Sequence, residues 1–146
     1  MKHHIILRVG AKLLIPLIML FALYVQFHGD YGPGGGFQAG VIFAAALILY
    51  GLVFGLGELS RVAPLPNVIT LMAAGWLLYT GVGFAGLVMG GNYLDYNILW
   101  SNPMTGQHLG IFLVELGVGI TVVATMLAIY QCFAIHQSNE LADDEW

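Results

Sequence analysis

Apolar residues run almost unbroken through four stretches of this chain, 5–27, 37–56, 67–89 and 107–133, and polar positions collect between them. The runs are continuously apolar rather than alternating, which predicts helices and not the strands of a barrel. At about 1.5 Å per residue each is long enough to cross the ~30 Å hydrocarbon core of a bilayer. Pro64 and Pro66 punctuate the start of the third stretch, and Gly91, Asn92, Asn97, Asn102 and Pro103 mark the loop that follows it. The expected architecture is an all-α integral membrane protein: a four-helix transmembrane domain over 1–136 and an acidic tail over 137–146.

Composition agrees. Hydrophobic residues make up 59% of the chain and charged residues 8%, against roughly 25% charged in a soluble domain. The net charge of −4 comes mostly from Glu140, Asp143, Asp144 and Glu145, and nothing is basic enough for nucleic acid. The single cysteine, Cys132, excludes an intrachain disulfide and is expected to be a small hydrophobe buried in its helix.

The first stretch has the basic start of a signal peptide, with Lys2 and Arg8. No small-x-small pattern stands near Val25–His28, however, and the apolar region is long, so it reads as a retained span, with Pro16 as a candidate kink. Orientation follows from the basic residues. Lys2, Arg8, Lys12 and Arg61 all fall on the inner side if both termini are cytoplasmic, while the loops at 28–36 and 90–106 carry no Lys or Arg. Lys12 lies one turn past Arg8 on the same face. Either it snorkels to the headgroups, or it is a buried cation facing a carboxylate or proton wire, for which Glu115 is a poor partner because this topology puts it nearer the outer leaflet.

Glu115 is the most conspicuous single residue. It sits inside the fourth apolar stretch with no Lys or Arg within ten residues on either side. A carboxylate there costs a few kcal/mol on insertion scales unless water, a partner or a proton relieves it, and such acids mark ion or proton paths. The alternative is a packing or inter-subunit hydrogen bond from a protonated Glu. His108 lies two helical turns earlier on nearly the same face, about 10 Å away along the axis, and Gly119, one turn beyond, removes bulk on that side. His108 is thus either a polar entrance to Glu115 or an interfacial residue. Asp30 and Asp95, in the outer loops, either concentrate cations at that mouth or are solvated surface.

The loop from His28 to Gly40, HGDYGPGGGFQAG, has more glycine than a plain turn needs. Glycine permits positive φ and close backbone approach, and irregular backbone survives at membrane depth only when buried in protein or lining a wet cavity. A flexible external loop is the plainer alternative. PGGGFQAG, Pro33 to Gly40, directly after a basic-flanked first span, resembles the signature of the B subunit of Mrp-type multi-subunit cation/proton antiporters, and the four-span layout and length match over essentially the whole chain. The resemblance identifies Pro33, Gly34, Gly35, Gly36 and Phe37 as motif positions, with Gly40 among the small residues that follow. Asp30-Tyr31-Gly32 matches more loosely, so Asp30 takes no family role. The resemblance implies a non-enzymatic subunit of a hetero-oligomeric Na+/H+ antiporter in a bacterial or archaeal cytoplasmic membrane. Its partners would be the other subunits and the lipid bilayer, and the complex would transport Na+ and H+. Related subunits occur in energy-converting hydrogenases.

Small residues recur four apart: Gly36 with Gly40, Gly51 with Gly55, Gly86 with Gly90, and Gly117 with Thr121 and Thr125. They predict close helix contacts, some to other subunits. Trp100, near Tyr93 and Tyr96, fits the outer aromatic belt; Trp76 lies deeper and is expected to pack. No His/Cys set has metal-ligand spacing, no GxxxxGK loop is present and no intramembrane histidine pair suggests haem, so no metal or cofactor is expected. Three functions remain: an ion-transport subunit with Glu115 or the glycine loop beside the path, a structural subunit that seals or orients its neighbours, and the corresponding subunit of a membrane-bound hydrogenase.

Overall fold

A computed structural model describes residues 5–29 and 34–143, with side chains through 137. Helix α1 is Ile5–Phe27, α2 Gly36–Phe54, α3 Leu56–Val62, α4 Leu65–Val88 and α5 Pro103–Asp143, with a 3-10 turn at Tyr96–Ile98. Helices α1, α2, α4 and residues 103–137 of α5 are long and apolar enough to cross a membrane. They correspond one to one with the four apolar stretches. α5 begins and ends outside the fourth apolar stretch, and its backbone stays helical to Asp143. Lys2, Asp30 and Pro33 lie outside the described residues.

α5 is the spine. It packs against α2 and against α4, while α1 packs chiefly on α2. Small residues make these approaches possible. Where α2 crosses α5, a Cβ on Gly36 would overlap the backbone carbonyl of Glu115, and one on Gly40 would lie 2.8 Å from the Gly119 carbonyl. Where α4 crosses α5, Gly75 and Gly117 face one another: a Cβ on Gly75 would stand 2.9 Å from the Gly117 carbonyl. Thr121, one turn on, turns its hydroxyl back to donate to that same carbonyl at 2.8 Å. The Gly36/Gly40 and Gly117/Thr121 contacts follow the small-residue spacing; Gly75 carried no such signal. Gly51 meets the Leu59 and Tyr130 side chains. Gly55 and Gly90, expected to pack, have nothing within 4 Å of a Cβ. Their φ values of 103° and 90° make them turn residues, at the α2–α3 corner and after α4.

The sequence pattern left 57–66 as a connection. Instead seven residues form α3, too short for a periodicity to show. Leu59 is fully buried and shares a core with Val68, Ala124 and Leu127. Gln131 on α5 reaches the same corner and donates to the Ala63 carbonyl at 2.8 Å. Pro64 is extended and Pro66 sits in the first turn of α4, where a missing N–H costs nothing. A second core, of Ala11, Ile15, Ala46 and Val53, joins α1 to α2.

Much apolar surface remains outside these cores, including Leu13, Leu17 and Phe21 on α1 and Leu77 on α4. Trp76 is 58% exposed, and Cys132 is exposed rather than buried. Both occupy helix faces turned away from the bundle. Only lipid or other polypeptides can cover such surface.

The α4–α5 loop folds down onto the helix ends. Tyr93 rests against Gly83 and Tyr96 against Gly110. Asp95 accepts from the Asn97 backbone N–H at 3.2 Å and from its side-chain amide at 3.1 Å, and Gln107 donates to Asn97 at 3.0 Å. Asp95 therefore caps the 3-10 turn. Burial, with Tyr79 and Tyr93 nearby, raises the Tyr96 phenol above its ordinary value.

Candidate functional site

The end of α1 and the start of α2 are joined by the glycine loop, and α5 brings Glu115 against it. Gly34 fits because its Cβ position lies 2.7 Å from the Val25 carbonyl, and the Gly35 N–H donates to that carbonyl at 3.4 Å. The loop thus folds back over the last turn of α1. Gly35 precedes α2 with φ 125° and ψ 170°, a region that residues with a Cβ rarely adopt.

Glu115 is half-buried. A Cβ on Gly29 would stand 2.9 Å from its Oε2, and one on Gly35 would stand 3.3 Å from its Oε1. The same Gly35 position lies 3.4 Å from the Gln38 side-chain oxygen. The carboxyl group therefore occupies space that exists because two loop residues lack side chains. It also stands close to where a cap at the N-terminus of α2 would begin, and α2 has no side-chain cap of its own. The exposed N–H groups and positive dipole end of a helix favour an acid there. Stacking of Phe27 on Phe112, 5.9 Å between centroids, fixes α1 to α5 at this level, and Tyr24 stacks on His28 at 5.0 Å.

One turn along α5, Gly119 makes room for Gln26: its Cβ position lies 2.8 Å from Gln26 Oε1 and 3.2 Å from the Gly36 carbonyl. Gln26 is 7% exposed, and its amide nitrogen has no hydrogen-bond partner among the described residues. It lines a cavity of about 190 Å³ with Gly40, Phe43, Gly119 and Ile120. Gln26 was not among the residues expected at the site, though its signal was present: an amide in the last turn of the first span, in a run that is otherwise apolar from Leu13 to Phe27.

The other expected residues are dispersed. Phe37 is 61% exposed on α2, and His108 is exposed on α5 outside the glycine cradle. Lys12 is exposed near the opposite end of α1, about 21 Å from Gln26 along the axis at helical rise. Asp30 and Pro33 fall outside the described residues. Among the described residues no three His, Cys, Asp or Glu side chains gather into a metal-binding group.

This architecture defines a class: a multi-pass membrane protein with a carboxyl group set into a glycine-lined helix junction. A family model described as a domain related to the MnhB subunit of Na+/H+ antiporters matches residues 6–128. The chain belongs to that family. It is 30% identical over 135 residues to the B subunit of the Na+/H+ antiporter of Alkalihalophilus pseudofirmus, covering 86% of this chain and 93% of the relative. It is 34% identical over 131 residues to the putative antiporter subunit mnhB2 of Staphylococcus aureus strain Newman, covering 88% and 92%. The family and the four apolar helices place it in the cytoplasmic membrane.

Proposed function

We propose that this chain is a non-catalytic subunit of a multi-subunit Na+/H+ antiporter, and that Glu115 is its ion-handling group. The observation that carries this is the approach of both Glu115 carboxyl oxygens to side-chain-free positions, Gly29 and Gly35. Such a cradle fixes the acid against backbone rather than lipid, where nothing would offset its desolvation. An exchange cycle uses both protonation states of such a group. The adjoining cavity is apolar apart from Gln26, whose amide lies one turn of α5 from the acid. The names of both relatives favour an antiporter over a hydrogenase.

The deciding variant is Glu115→Gln, which keeps size and much hydrogen bonding but removes the titratable proton. It should assemble normally and lower Na+/H+ exchange in everted vesicles by about tenfold or more, as expected when a proton-handling group in the membrane loses its charge change, most clearly across a pH series. Full exchange at every pH in an assembled Gln variant removes Glu115 from the path and leaves a structural subunit. In that case Glu115→Leu, and not Gln, should be the damaging change.

The orientation proposed has both termini cytoplasmic. Arg8, Lys12 and the Glu58–Arg61 pair gather at one end of the bundle, which supports a single basic side. In a Cys132→Ala background, Ser101→Cys should label from outside intact cells and Gln137→Cys should not; the reverse pattern inverts the orientation.

A further inference from the structure

At the end of the bundle away from Glu115, α1 and the α2–α3 corner enclose an open cleft of about 690 Å³. Arg8 and Lys12 line its rim, with Glu58, while Ile15, Pro16 and Val53 form its apolar wall. The Arg8 guanidinium lies 5.3 Å from the centroid of the Phe54 ring, which fixes the cation in place. Glu58 does not neutralise the rim, because its carboxylate pairs with Arg61 at 2.7 Å. With that pair internally balanced, Arg8 and Lys12 leave two positive charges, and neither is in an ion pair among the described residues.

We propose that this cleft binds an anionic phospholipid, with its phosphate between Arg8 and Lys12 and an acyl chain along Ile15, Pro16 and Val53. The two cations are one turn apart on a single helix face, so both can address one phosphate. Lys12 lies about 10 Å along α1 from Ile5 at helical rise, and its stem brings the ammonium back to headgroup level. The wall beyond it is apolar, and the adjoining Leu52 is 56% exposed. A charged rim above an apolar wall matches a molecule with an anionic head and a hydrocarbon tail. Free phosphate would leave the wall unused. A zwitterionic lipid would bring its own cation to a rim that already carries two.

The test uses the assembled antiporter complex with a photoreactive amino acid at Leu52, reconstituted into vesicles of phosphatidylcholine with or without phosphatidylglycerol. Irradiation should capture phosphatidylglycerol in preference to phosphatidylcholine. Arg8→Gln and Lys12→Gln should each lower capture about fivefold, as expected for one basic residue near an anionic surface. The charge-keeping pair Arg8→Lys and Lys12→Arg should retain it, in complexes shown by co-purification to be intact. Several outcomes overturn the assignment: equal capture of the two lipids, capture that survives loss of both charges, or displacement by millimolar inorganic phosphate. Crosslinking of Leu52 to a neighbouring subunit in place of lipid overturns it too, and shows that a polypeptide fills the cleft.

Discussion

The two ends of α1 handle charge in opposite ways. At its C-terminal end an acid on α5 is held by what is missing: Gly29, Gly35 and Gly36 supply backbone where other residues would supply bulk. At its N-terminal end Arg8 and Lys12 carry their charge on long stems at the rim of an open cleft. The first arrangement depends on backbone positions that cannot move apart without separating α2 from α5. The second depends on flexible side chains over an apolar wall. The glycine end should therefore be intolerant of substitution and the basic end permissive, and graded changes can break that contrast.

The largest effect is expected at Gly36. A Cβ there overlaps the Glu115 backbone carbonyl, and helix backbone cannot yield as a side-chain tip does. Gly36→Val should cost roughly 3 kcal/mol of overpacking and sharply lower the amount of assembled complex on a native gel. Wild-type levels would mean that the α2–α5 crossing is looser than its geometry.

Gly35→Ala should come next, at about 2 kcal/mol for the forced φ, read as a fall in the melting temperature of the purified complex. Gly55→Ala is the matched control, because it has a similar φ of 103° and nothing within 4 Å of its Cβ. Any excess loss at Gly35 reports contact with Glu115 or Gln38, and the share due to Glu115 should disappear when Glu115→Ala is combined with it. Equal losses at the two glycines, unchanged in the combined variant, would detach the loop from the acid.

Gln26→Leu is expected to change stability by less than about 1 kcal/mol. Replacing a buried amide whose nitrogen has no partner among the described residues by an apolar group of similar size removes a desolvation penalty along with any bond to water. If exchange falls while melting is unchanged, Gln26 belongs to the ion-handling neighbourhood of Glu115. A large loss of stability would show instead that the amide is fully bonded.

The sequence pattern exposed the spans because soluble folds rarely carry unbroken apolar runs of this length. It also isolated Glu115 and the glycine loop, but separately. Their meeting depends on α2 crossing α5 at Gly36, a relation between positions far apart in the chain that no local spacing encodes. Gly75 was overlooked because its small partner, Gly117, is on another helix. α3 was missed because seven residues between two glycine- and proline-marked boundaries look like a connection. The exposure of Cys132 was misjudged for a different reason. Within a continuously apolar helix, hydropathy does not reveal which face meets protein and which meets lipid.

The smallest effect is expected at Arg61. Its pair with Glu58 is short, at 2.7 Å, but the side chains are 77% and 49% exposed and only three residues apart in one helical turn. Such a pair gains little in high dielectric and loses side-chain entropy, so Arg61→Ala should alter stability by no more than about 0.5 kcal/mol. Melting of the purified complex should be almost unchanged, in low salt as in high. Its contribution would lie in insertion, where each basic residue biases which side of the membrane a loop occupies, and not in the folded bundle. A clear fall in melting temperature that disappears in high salt would show the basic corner to be as tightly organised as the glycine cradle. The contrast between the two ends of α1 would then be one of sign alone, not of tolerance.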